Sequence, residues 1–342
     1  MKLSIIVPVY NMVEGNKLQF CLDSLIRQNI TNYEIIAVDD ASTDRSLEVL
    51  REYEVKYPGK IRVLAHEVNK RQGGAKNTGL KVATGEWIGF IDSDDWISPD
   101  FYEKLLQKAE NTGADMVGCD YNLVHEQTFE VGQVIQNNSM DQTGVLDKEK
   151  HGKLIMRSGS MVIKIYRHEI IKEHRLTFPE GIFYEDNCAG PVWSLYFKHF
   201  EKVEEPLYYY YQHSTSTVHY ITEQKCEDRM TAASMLLQEC RNRGFLEEYY
   251  KEIEYRFTEL YFVNTLFSYM LGAKKKRLAF VKKMKQGMFE AFPEFQENEY
   301  YQKLTNEEEK RMIQMLAGSE RKFFYYYRFK VWVRKIRKKL HI

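Results

Sequence analysis

The chain has 342 residues, 44% hydrophobic and 29% charged, enough for one large α/β domain with an appendage or for two domains. Five cysteines (21, 119, 188, 226 and 240) without CxxC or close Cys/His pairing argue against a disulfide framework or a zinc site and suit a reducing compartment. The start, MKLSIIVPVYN, has no cleavable signal pattern, and no apolar run reaches 18 residues, so a cytoplasmic location is expected. Lys+Arg and Asp+Glu balance at 49 each, yet residues 321–342 hold nine Lys/Arg and no acid. The body is therefore about −9 and the tail +9, a split that points to a partner for the tail.

Strand and helix signals alternate through the first 120 residues. LSIIVPV (3–9) is a continuous apolar run, followed by NKLQFCLDSLIRQ at helical spacing. YEIIAV (33–38) reads as the second strand, and DRSLEVLREYEVKY as a helix with Ser42 and Thr43 as candidate N-caps. IRVLAH (61–66) is the third strand, and GGAKNTGLKVAT opens a helix behind two glycines. EWIGFI (86–91) and ADMVGC (114–119) are the fourth and fifth, separated by a helix with Pro99 near its first turn. Such alternation predicts βαβ units and a mostly parallel, Rossmann-like sheet covered on both faces. Residues 120–150 are polar and weakly alternating, a hairpin or a mobile excursion, and 154–212 mix short strands with two helices. From 223 onward the pattern is helical, with apolar positions from Leu246 to Leu271 near a period of 3.6. The expected domains are 1–220 (α/β, with halves 1–119 and 120–220) and a helical appendage, 223–342.

The expected carboxyl ends of the first four strands are polar: Tyr10–Asn11, Asp39–Asp40, then Asn69 to Gly74, then Asp92–Ser93–Asp94–Asp95. In a parallel α/β sheet these ends share one edge, where ligands bind. Three aspartates within four positions repel one another unless a cation sits among them, and hard Mg²⁺ or Mn²⁺ bridges carboxylates to phosphate oxygens. A bare DxD also arises by chance, and Asp95 or Ser98 could equally cap the helix after Pro99. The Gly73–Gly74 pair suits either a loose turn or close approach of a phosphate.

In order, SIIVPVYN, VDDASTD, NKRQGGAKNTGL, ATGEWIGFIDSDD, FPEGIFYED and EPLYYYYQHSTST resemble a family 2 glycosyltransferase with the GT-A fold, over Ser4 to about Ser216. The resemblance implies an inverting transferase for bacterial surface polysaccharide, with a nucleotide-sugar in the first half and the acceptor in the second. Pro8 and Tyr10 would line the base pocket, Asn11 would also bind the nucleotide-sugar, and Asp40 would accept from uracil. Asp92 would contact the ribose or a metal-bound water, with Ser93 beside it at the nucleotide-sugar, and Lys76, standing where the family usually has Arg, would contact the nucleotide, with Arg71 sharing that role. Asp94 would ligate Mn²⁺ or Mg²⁺, with His213 completing the shell. Asp186 would be the general base, beside Glu185 at a helix N-terminus, where either acid also complements the helix dipole. The donor would be a UDP-sugar and the acceptor a glycan or lipid-linked hydroxyl. A GDP- or dTDP-sugar donor, or a silent nucleotide-binding scaffold, are the rival readings.

The tail places Phe329, Val333, Ile336 and Leu340 on one helix face, ringed by Lys and Arg. This suits an anionic inner leaflet, and hence a peripheral membrane position; docking on the acidic body or a homo-oligomer contact through the helical region are the alternatives. Nucleic acid is not expected, because no recognition fold accompanies the basic run.

Overall fold

The computed structural model describes residues 2–213 and 221–340. They belong to two compact units, 1–216 and 217–342. In the first unit the strands are β1 (Leu3–Val9), β2 (Tyr33–Asp39), β3 (Ile61–Ala65), β4 (Trp87–Phe90), β5 (Trp96–Ile97), β6 (Met116–Val124), β7 (Gln133–Ile135), β8 (Gly144–Val145), β9 (Lys164–Arg167) and β10 (His199–Tyr211). The helices are α1 (Lys17–Ile26), α2 (Ser46–Lys56), α3 (Arg71–Val82), α4 (Phe101–Thr112), α5 (Lys148–Met156), α6 (His168–Glu173) and α7 (Asp186–Ser194).

The strands form one sheet in the order β3-β2-β1-β4-β9-β6-β10-β5, with β7 on β6 and β8 on β10. β3, β2, β1 and β4 are mutually parallel, and β10 is parallel to β6. β9 runs the other way between β4 and β6, and β5 at the edge is antiparallel to β10. β1 and β2 are nearly continuous runs of buried Ile, Val and Leu, as strands covered on both faces must be. The stretch 120–150 contains a true hairpin, because β6 runs on to Val124 and β7 returns along it. Among Tyr208–Tyr211, alternate rings take opposite faces. Tyr208 and Tyr210 meet Phe101 and Tyr121, while Tyr209 stacks on Trp96 and Tyr211 leans on the same indole.

The expected caps differ. α2 begins at Ser46, and Ser42 and Thr43 bond to Asn11 instead of capping it; Asp44 accepts from the Ser46 amide two residues on. α4 begins at Phe101 and neither Asp95 nor Ser98 caps it; Ser98 donates its hydroxyl to Asp100.

The second unit consists of α8 (Glu223–Asn242), α9 (Tyr250–Phe257), α10 (Asn264–Gly272), α11 (Leu278–Ala291), α12 (Glu299–Leu304), α13 (Glu307–Gly318) and α14 (Glu320–Leu340). A π-helical turn, Thr258–Val263, joins α9 to α10. The regular 3.6 stripe is interrupted there, and Tyr250 and Leu271 at its ends are exposed. Among the described residues, no helix is long and apolar enough to cross a membrane.

Candidate active site

The ends of β1 and β2 are tied together by the Asn11 side chain. Its Oδ1 accepts from the Thr43 and Asp44 amides at 2.7 and 3.3 Å, and the Asn11 backbone N–H donates to Ser42 Oγ at 3.0 Å. Asp39 Oδ2 accepts from the Ser42 amide, so this acid supports the loop from below. Pro8 is buried at the end of β1 and Tyr10 beyond it is exposed. Asp40 is buried, and Oδ1 alone takes two donors, the Lys70 amide at 2.8 Å and His66 Nδ1 at 2.7 Å. A carboxylate requires a donor, so the His66 proton is assigned to Nδ1, and Nε2 then accepts from Thr78 Oγ1 at 2.8 Å. His66 is a site residue that sequence reasoning missed: a single histidine ending a strand carries no local signal.

Non-glycine residues with positive φ gather at this edge. Asn11 (56°) follows β1, Ala41 (59°) follows β2, Arg71 (64°) opens α3, and Tyr184 (65°) precedes Glu185. Left-handed backbone is costly for side-chain-bearing residues and persists where the surroundings over-determine it, characteristically at ligand sites.

α3 carries the FPEGIFYED segment on its side. Asn77 Nδ2 donates to the Phe178 carbonyl and its Oδ1 accepts from the Phe178 amide, both at 2.9 Å. Gly181 donates to the Lys70 carbonyl, and the Arg71 guanidinium lies 4.1 Å from the centre of the Phe183 ring. Gly73 lies inside the first turn of α3, and a Cβ there would sit 1.9 Å from the Pro179 carbonyl oxygen. The direction a Cβ would take at Gly73 is therefore filled by backbone, and the glycine is needed for packing.

This docking delivers Glu185 and Asp186 to the start of α7. Glu185 is buried, its Oε1 2.8 Å from Lys76 Nζ. Burial pulls the Lys76 ammonium toward neutrality, but Glu185, Asp92 and Asp186 together hold it charged, above its usual range. Lys76 therefore neutralises Glu185 inside the protein. It also joins Asp92, after β4, with the acids of α7. Asp92 is pushed up to about 7 by burial, against the pull of Lys76 and with added repulsion from Asp94, Glu185 and Asp186. Gln72 Nε2 reaches Asp92 Oδ1 at 3.3 Å, and Ser93 is buried.

Asp94 Oδ2 lies 2.9 Å from His213 Nε2, although 119 residues separate them. Asp95 points elsewhere: Tyr208 donates its hydroxyl at 2.6 Å and Tyr211 its amide at 2.8 Å. Burial and the two neighbouring aspartates raise Asp95 well above the usual carboxylate range, while these two bonds oppose the shift. It pins β10, and so brings His213 toward Asp94. No cluster of three or more metal-binding side chains occurs among the described residues. Asp94 and His213 supply one carboxylate and one imidazole, donors whose chemistry suits a hard divalent cation.

Residues 4–175 match the family model described as Glycosyl transferase family 2. The chain belongs to glycosyltransferase family 2. It is a transferase with the GT-A fold. The putative glycosyltransferase EpsH of Bacillus subtilis is 34% identical over 260 residues, 74% of this chain and 72% of EpsH. The uncharacterized glycosyltransferase YibD of Escherichia coli is 34% identical over 223 residues, 63% of this chain and 62% of YibD. Among solved structures, Staphylococcus aureus TarS (residues 1–349, with UDP-GlcNAc) superposes with a TM-score of 0.63 at 22% identity, covering 97% of this chain and 90% of that one. The family 2 match includes Asp40, Lys76 and Asp92–Asp94 but ends before Glu185, Asp186 and His213.

Proposed function

We propose that this family 2 enzyme is an inverting, metal-dependent transferase that moves a sugar from a UDP-sugar to a hydroxyl of a glycan or lipid-linked acceptor in cell-surface polysaccharide synthesis. The observation that carries the reading is the buried Lys76–Glu185 pair, 2.8 Å apart, which docks the start of α7 on α3, on the side where Asp92 follows β4. The fold shared with TarS, solved with UDP-GlcNAc, makes UDP-sugars the first donors to try.

In this reading Pro8, Tyr10 and Asn11 shape the base pocket, and Asp40, with Oδ1 already engaged, offers Oδ2 to the uracil N–H. Asp92 and Ser93 stand at the ribose, and Arg71, stacked on Phe183, reaches for the diphosphate. Asp94 and His213 would hold Mn²⁺ or Mg²⁺, which would offset the charge developing on the departing diphosphate. Asp186 takes the proton from the acceptor hydroxyl as that oxygen attacks C1 from the face opposite the nucleotide. A single displacement inverts the anomeric centre, so an α-linked donor gives a β-linked product. Lys76 and Glu185 position the start of α7.

The test is turnover of a nucleotide-sugar panel with Mn²⁺ or Mg²⁺, for the wild type and Asp186→Asn. The substitution should lower kcat by about 10²–10⁴ and leave the KM for donor unchanged. Full activity of Asp186→Asn overturns the base assignment. Release of GDP or dTDP with UDP-sugars untouched overturns the donor.

A further inference from the structure

One face of α14 is built into the second unit. Phe323, Phe324 and Tyr327 are buried, and Tyr327 packs on Phe323 and on Phe267 of α10. The outer face carries Tyr325, Phe329 and Trp332, exposed by 61, 60 and 58%. Spacings of four and three place them in one row, and the Phe329 and Trp332 rings lie 5.9 Å apart. An isolated exposed aromatic is ordinary, but three in a row over two turns form a continuous apolar ridge. The expected apolar face thus begins earlier than Phe329, at Tyr325, while Val333 and Ile336 are half-buried.

The ridge stands on the most basic segment of the chain, nine Lys/Arg without an acid between 321 and 342. Lys330 and Arg334 lean on Glu308 of α13, and Arg328 lies over Phe324. A second copy would bring the same positive helix and be repelled. An anionic lipid surface offers complementary charge to the basic side chains and an interfacial layer that accepts Trp, Tyr and Phe. We infer that α14 lies in the plane of an anionic membrane with Tyr325, Phe329 and Trp332 inserted at the headgroup boundary. This surface is independent of the donor chemistry, and its readout needs no turnover.

The experiment is partition of the full chain onto phosphatidylcholine vesicles with and without about 30% phosphatidylglycerol. Tyr325→Ser/Phe329→Ser/Trp332→Ser keeps the charge and removes the ridge, whereas Arg328→Gln/Arg337→Gln removes charge and keeps the ridge. The wild type should bind the anionic vesicles at least about tenfold more tightly than neutral ones, and lose most of that at about 1 M salt. Each variant should lose about tenfold on anionic vesicles with thermal unfolding unchanged. Trp87, Trp96 and Trp193 are buried, so quenching by brominated acyl chains reads Trp332. Equal binding to neutral vesicles, undiminished binding of the ridge variant, or a dimer that the ridge variant dissolves while vesicle binding persists would each overturn the inference.

Discussion

Replacing Lys76 by Met removes one half of a pair that neither water nor salt can replace. The two side chains are 3 and 5% exposed and 2.8 Å apart. At an effective dielectric of about 20 their attraction is roughly 6 kcal/mol, much of it cancelled by desolvation of both ions. What remains on deleting the cation is a buried carboxylate facing Asp92 and Asp186, at a cost of about 3–5 kcal/mol. For a unit of this size that corresponds to a Tm lower by roughly 6–20 °C. Lys76→Met/Glu185→Leu removes both charges and should recover most of the loss, a coupling of at least about 2 kcal/mol. Glu185→Gln should cost less than Lys76→Met, since Asp92 and Asp186 still face the ammonium. Urea unfolding followed by tryptophan fluorescence reports on this unit, where Trp87, Trp96 and Trp193 are buried. If Lys76→Met costs under about 1 kcal/mol, or the double variant falls at the sum of the singles, Lys76 does not act by neutralising Glu185.

Other outcomes follow from the same geometry. Burial pulls Lys164 down to about 7, whereas the unfolded amine keeps its proton to 10.5. The unfolded chain binds more protons across that window, so stability should rise with pH from about 7 toward 10.5, and Lys164→Met should flatten the slope in urea midpoints. Gly73→Ala forces a Cβ against the Pro179 carbonyl and should abolish most turnover by displacing Glu185 and Asp186. Gly113→Ala, with open space at φ 73°, should cost only about 1 kcal/mol of stability and no activity. His213→Ala should raise the Mn²⁺ concentration for half-maximal nucleotide release at least about tenfold, with metal-free donor binding unchanged.

The polar strand ends were legible because burial on both faces leaves continuous apolar runs that stop abruptly at the site. The contact of Asp94 with His213 was expected only through family resemblance, since no local pattern links residues so far apart. The reversed direction of β9 was not legible, because the four residues KIYR carry no sign of which way the strand runs. The Lys76–Glu185 pair was hidden for another reason. A lysine early in one helix and an acid at the start of another carry no local sign that they pair until the chain docks them together. Ser42 and Thr43 matched the composition of helix caps, but the Asn11 carboxamide competed successfully for that loop.

The reversal of β9 has a consequence for how such a chain can diversify. Because it opposes β4, its first residues lie at the edge where β4 ends, so the loop before β9 and the loops after β1, β2 and β4 open on one side. Ser158 in that loop lies close to Gly190, one turn beyond Asp186 on α7. Asn137 clasps the loop through Ser160, and Lys164 binds the Ser158 and Ser160 carbonyls from beneath. Residues 157–161 can therefore lengthen or change composition without altering the register of the strands that carry Asp40 and Asp92. Under the proposed function, acceptor preference would change in this one loop while the residues around Asp40 and Asp92 stay as they are.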